Sequence, residues 1–168
     1  GADVRGREPD ALVEQPLDGV AGIDATLVAR GSSDTFASLF DDWAVACFLS
    51  GRPPEVRPYS FGDVSVSARP VMLTGPPPLP GPAEVRAYGA CYLDFPASSV
   101  EATFQAAIDG SDGTPLCAAL LSWDSTGAAT PVVTPFDLAN PAAGDTVTAA
   151  PGYDRHTLAV WAQGTVGS

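Results

Sequence analysis

The chain has 168 residues, 45% of them hydrophobic, so a core of ordinary domain size is within its reach. Its 20 acidic residues stand against 8 basic ones, all Arg, giving a net charge of −12. That balance excludes a nucleic-acid surface, which needs cations to replace phosphate counterions, and an anionic membrane surface. No apolar run approaches the ~18 residues that a spanning helix needs, so membrane insertion is not expected. With 17 Gly and 17 Pro, turns are favoured over long helices.

The chain opens at Gly1, with no basic stretch leading into an apolar one, which predicts a processed product or a fragment. Residues 22–30 read as a short helix with Ile23, Leu27 and Val28 on one side, stopped by Gly31. A second helix follows, capped by Ser33 or Asp34. Phe36, Phe40, Trp43 and Cys47 form its apolar stripe, Leu39 and Phe48 widen it, and Asp41 and Asp42 take the solvent side. Gly51, Pro53 and Pro54 end it.

Beyond residue 55 the period falls to two. Residues 63–73 read as an edge strand interrupted by Pro70, and the stretch TGPPPLPGPAE as an extended connector. In residues 85–95, Val85, Ala87, Gly89, Cys91, Leu93 and Phe95 alternate with Arg86, Tyr88, Ala90, Tyr92 and Asp94. Tyr88 and Tyr92 then share the polar face, as a contact surface or packed under a loop. Further strands are predicted at 100–108, 117–123, 130–138, 145–149 and 157–163. The expected fold is α+β: a short N-terminal helical segment (1–54), a strand and Pro-rich connector (55–84), and an antiparallel β-sandwich of jelly-roll or Ig-like type (85–168).

The chemical inventory is thin. The single histidine, His156, falls at the start of the last predicted strand and reads as a surface or strand-end residue. A catalytic zinc usually takes more nitrogen ligands than that, and a Ser or Cys nucleophile needs a positioned base. No catalytic residues are therefore assigned, and the chain alone is expected not to be an enzyme. Asp109 and Asp112, in the run DGSDG, have the spacing of carboxylates that offer oxygens to Ca2+, with a hairpin turn as the competing reading. No other cofactor is implied. In an exported protein the three cysteines predict one bridge and one buried thiol, as Cys91–Cys117 or as Cys47 with either partner.

The stretch GVAGIDATLVARGSSDTFASLFDDWAVACFLSGR resembles a segment of large secreted bacterial metallopeptidases of the immune-inhibitor-A and hyicolysin-like groups. The matching positions are Gly22, Ile23, Asp24, Ala25 and Leu27, then Phe36, Phe40, Asp42, Trp43, Val45, Ala46 and Leu49. AEVRAYGACYLDFP resembles the first strand of the β-sandwich that follows in such proteins. The HExxH helix of the family is missing from this chain, and Cys47 stands where the family pattern has Asn. The resemblance implies a secreted, non-catalytic accessory region beside an upstream catalytic domain. Two rival expectations stand next to it. One is a structural subunit of an extracellular filament or sheath, with copies of itself as partner through β-strand addition. The other is a stand-alone carbohydrate- or protein-binding sandwich.

Overall fold

The computed structural model describes residues 19–52, 54, 59–61, 66, 68–74, 85–96, 103–106, 115–136 and 145–164. The chain divides into two units, residues 1–40 and 41–168.

In the first unit, helix α1 (Gly19–Ala29) buries its small residues Gly22 and Thr26, four apart, and leaves Val28 72% exposed, opposite to the side predicted from its branched residues. Its C-terminus closes as the sequence predicts. Gly31 adopts φ 74°, its N–H reaches Val28 O at 2.9 Å, and the Ser32 N–H reaches Leu27 O at 3.0 Å. This is the left-handed glycine stop that satisfies orphan carbonyls.

Helix α2 (Phe36–Leu49) starts one residue later than the predicted caps allow. Thr35 caps it: Thr35 Oγ1 accepts the Ser38 N–H at 3.2 Å and Ser38 Oγ accepts the Thr35 N–H at 3.0 Å, a reciprocal capping box. Asp34 is held outside the helix by Ser32, whose hydroxyl donates to its carboxylate at 2.8 Å. The next orphan donor, the Phe36 N–H, is accepted by Asp24 of α1 at 2.6 Å.

In the second unit, five strands form a mixed sheet ordered β1–β2–β7–β4–β5. They are β1 (Val71–Met72), β2 (Ala90–Pro96), β4 (Leu116–Trp123), β5 (Val132–Pro135) and β7 (Arg155–Ala162). β3 (Thr103–Ala106) and β6 (Asp145–Thr148) pair antiparallel as a separate ribbon. The sheet is mixed because β1 runs parallel to β2; the other pairs are antiparallel. β7 is central, and both it and β4 are near-continuous buried runs, the pattern of strands covered on both faces.

The register sorts the side chains. One face carries Tyr92, Ala159 and Ala119 in one row, Asp94, Thr157 and Leu121 in the next, then Arg155 and Trp123. The opposite face carries Leu93, Leu158 and Leu120, then Phe95, His156 and Ser122. This second face joins Phe136, Val147 of β6 and Ala149 in one hydrophobic cluster.

The first face meets the C-terminal half of α2, in which every residue from 44 to 50 is buried. The Tyr92 hydroxyl donates to Ala44 O at 2.6 Å, and the Phe48 ring lies 5.4 Å from Tyr92 and 5.9 Å from Trp123. Asp41, predicted to face solvent, instead accepts from Trp161 and Gln163, while Trp43, predicted on the apolar stripe, is 45% exposed. The sheet-facing line is thus Asp41, Ala44 and Phe48, one residue round from the predicted stripe. A small residue at 44 lets Tyr92 approach, and the Trp161 and Gln163 donors make a carboxylate at 41 favourable.

The predicted 130–138 strand shortens to Val132–Pro135, and two others are shorter for visible reasons. Of 63–73 only Val71–Met72 pairs among the described residues, directly after Pro70, which has no N–H for a ladder. The 85–95 strand starts at Ala90, because the chain turns at Tyr88 with φ 57°. Tyr88 and Tyr92 therefore do not line one face: Tyr88 is 39% exposed in the turn and Tyr92 is buried under α2. Most of the Pro-rich connector lies outside the described residues.

Candidate functional site

Charged and aromatic side chains gather where α2 ends over the last row of the sheet. Asp94, 2% exposed on β2, accepts from the Arg155 guanidinium and from Thr157 Oγ1 at 2.9 Å. Thr157 in turn accepts from Trp123 Nε1 at 3.0 Å. Charge-assisted hydrogen bonds of this kind are the condition for keeping a carboxylate away from water.

Arg52 completes the group from the other side. The Ser50–Gly51 turn, with Gly51 at φ 77°, folds the chain back so that Arg52 Nε donates to Phe48 O at 2.8 Å. A cation there also complements the negative end of the helix dipole. The guanidinium lies 4.2 Å from the Phe48 ring centre and 4.6 Å from that of Trp123, and Arg155 lies 5.4 Å from the same indole. Burial lowers the Arg52 pKa; Asp94 opposes this and Arg155 adds to it. Arg155 Nε is buried without a hydrogen-bond partner among the described residues.

A second polar group lies at the other end of the same helix face. Asp41 accepts from Trp161 Nε1 at 2.6 Å and Gln163 Nε2 at 2.8 Å. The Cys117 thiol is pushed up to about 11 by burial, by the Asp41 charge and by hydrogen bonding to Asp41.

The third group is internal. His156 is buried at 6% exposure, not at the surface as predicted, because β7 begins two residues earlier than expected and places the ring on the sheet's apolar face. Its Nδ1 lies 2.9 Å from Ser122 Oγ, and Ser122 Oγ accepts the Ala150 N–H at 3.4 Å. The arrangement that satisfies all three groups has the Ser122 hydroxyl donating to a neutral imidazole. Burial lowers the His156 pKa against the opposing pull of Asp154 and Asp94, consistent with that form. Ser122 is wholly buried, so this Ser–His pair is a hydrogen bond of the core.

Asp109 and Asp112, the predicted calcium ligands, lie outside the described residues. Among the described residues no group of three or more His, Cys, Asp or Glu side chains is placed to hold a metal ion, and no helix is long and apolar enough to cross a membrane. The cysteines form no disulfide. Cys91 shares a row with Val160 and Cys117 a row with Trp161, so Cys91 and Cys117 sit on opposite faces with β7 between them, about 10 Å apart at the spacing of two strands. A bridge between them is incompatible with that sheet.

Sequence reasoning missed Asp94, Arg155, Trp123 and Arg52 as one group. The signal available was an Asp between Leu93 and Phe95, in the buried part of an otherwise apolar strand. No protein-family model, no curated protein and no solved structure matches the chain.

Proposed function

We propose that this chain is a non-catalytic module of an exported protein, one that supports a neighbouring domain or binds a ligand or surface. The observation that carries this reading is the state of its buried reactive groups. Burial raises the pKa values of all three thiols away from the reactive thiolate. The Tyr92 hydroxyl, also raised, donates to a backbone carbonyl, and His156 is held neutral against Ser122. These groups stabilise a scaffold. In this reading the five-stranded sheet and the β3–β6 ribbon are the two layers of a β-sandwich, with Val147 and Ala149 filling the space between them. The exported setting, and an upstream metallopeptidase-like catalytic domain as neighbour, rest on the resemblance of residues 22–49; the unpaired thiols lend export no support.

A second reading has its own observation. The outer strands β1 and β5 leave Val71 48%, Met72 47% and Val132 37% exposed at the two sheet edges. Such edges suit strand addition between copies in a filament or sheath.

The test is the intact mass of the native gene product, with its state of assembly. A species far above 17.1 kDa that carries an HExxH segment upstream supports the accessory module. A species of about 17.1 kDa that forms concentration-dependent polymers supports the subunit reading and overturns the first.

A further inference from the structure

The cluster around Trp123 holds a guanidinium that is in no ion pair among the described residues. Asp94 is engaged by Arg155 and Thr157. Among the described residues Arg52 is in no ion pair; its Nε–H goes to a backbone carbonyl, and its charged plane rests on Phe48 and Trp123. Arg155 overlies the same indole. Arg155 has Asp94 as its partner and Asp154 beside it, so among the described residues Arg52 is the guanidinium of the cluster left without a carboxylate partner, on a chain whose net charge is −12. The Arg155 Nε–H, buried without an acceptor, is a further unmatched donor in the group. Arg155 keeps 27% of its side chain exposed, so the cluster meets solvent.

We propose that Arg52 and Arg155, laid against Trp123, form a binding site for a carboxylate monoanion. The planar fork of a guanidinium matches a carboxylate, and stacking on aromatic rings holds Arg52 in place before the ligand arrives. One guanidinium without an ion pair matches a monoanion, and the acidic remainder of the chain repels anions of higher charge. The exposed part of the indole gives an apolar seat for the body of the ligand. This inference rests on the binding-module reading and supplies its ligand class.

The experiment uses the whole 168-residue chain, labelled with 15N, and follows the Arg Nε–H and Trp indole resonances. The probe is N-acetylglutamate α-amide, which carries one carboxylate, at constant ionic strength against sodium chloride. The expected result is a saturable shift of the Arg52, Arg155 and Trp123 signals, with affinity reduced about tenfold in Arg52→Gln. A uniform, unsaturable drift of all Arg signals, or an affinity unchanged in Arg52→Gln, overturns the proposal. Should Arg52→Gln lose its dispersed indole signals, Arg52→Lys replaces it. That variant keeps the charge and loses the fork, and an affinity equal to that of the parent overturns the proposal. Inorganic phosphate binding more tightly than the carboxylate also overturns it. A tetraglutamate peptide, which carries several carboxylates, is expected to bind through the same signals no more tightly than the single residue, and tighter binding overturns the proposal. Loss of this site leaves the module reading standing, because native mass and assembly are measured independently.

Discussion

Replacing Asp94 by Ala tests whether the buried cluster holds the sheet's last rows together. Asp94 is 2% exposed and accepts from both Arg155 and Thr157. Its removal leaves the Thr157 hydroxyl without that acceptor, and leaves Arg155, whose Nε is already unmatched, beside Arg52 without its buried counter-charge. Removing one partner of a buried pair costs about 3–5 kcal/mol. The Arg155 side chain is 27% exposed and can swing toward water, which places the expectation at the lower end, about 3 kcal/mol. For a chain of this size that is a fall in Tm of roughly 6–12 °C. Urea unfolding, followed by tryptophan fluorescence and by circular dichroism, reads the change as a shift in midpoint at constant m. Asp94→Asn keeps an acceptor for Thr157 and is expected to lose less. The pair Asp94→Leu with Arg155→Met, which removes both charges, should recover at least half of the loss. A loss below about 1 kcal/mol in Asp94→Ala would refute the reasoning, as would a double variant less stable than the single one.

Three further outcomes follow from other parts of the second unit. His156 has a lowered pKa in the fold, so the unfolded chain binds more protons near pH 6; stability should be complete above the ordinary histidine pKa of about 6.5 and fall as pH drops below it. His156→Gln should flatten that part of the urea-midpoint profile between pH 5 and 7, and an unchanged slope would count against the buried neutral ring. Cys117, with its thiol pushed up to about 11, should react with iodoacetamide at pH 8 about 100-fold more slowly than an ordinary thiol, and Asp41→Asn should speed it; peptide mapping of the alkylated chain reads both. A Cβ at Gly164 would lie 2.1–2.3 Å from atoms of the Tyr88 ring, so Gly164→Ala should displace that ring and cost about 1 kcal/mol, and adding Tyr88→Ala should remove the clash.

The strands of the second unit were the most legible part of the sequence. The predicted 117–123, 145–149 and 157–163 segments fall within two residues of β4, β6 and β7, because apolar runs bounded by turn residues carry that information locally. Gly31 was legible as a helix stop for the same reason. Helix α2 was legible as an element, but its buried face was not. Hydropathy alone puts Trp43 inside and Asp41 outside, and the true face depends on Trp161 and Gln163, more than a hundred residues away. The candidate site was illegible for a like reason. Asp94 and Arg155 are 61 positions apart and meet only because β2 pairs with β7 in one particular register. A slip by one residue would turn Asp94 to the opposite face. His156 was misplaced through the same dependence on pairing: two residues of extra strand, Arg155 and His156, carry the ring from the rim into the core.

That register also explains why the Trp123 cluster sits where it does. Asp41 meets Trp161 at the end of β7, Ala44 meets Tyr92 in the middle of β2, and Phe48 meets Trp123 beside the start of β7. The second half of α2 therefore runs antiparallel to β7. From Asp41 to Phe48 the helix rises only about 10 Å, whereas β7 covers about 20 Å between Trp161 and Arg155. The helix thus ends before the sheet does. Gly51 turns the chain at that point, and the Arg52 side chain covers the remaining distance, its guanidinium resting on Phe48 and Trp123. The last row of the sheet is covered by a single cationic side chain in place of a further turn of helix. A helix extended by one more turn would bury Trp123 and remove the opening that the carboxylate site requires. The early stop at Gly51, where the left-handed backbone favours glycine, is accordingly what leaves Arg52 and Arg155 together at the surface.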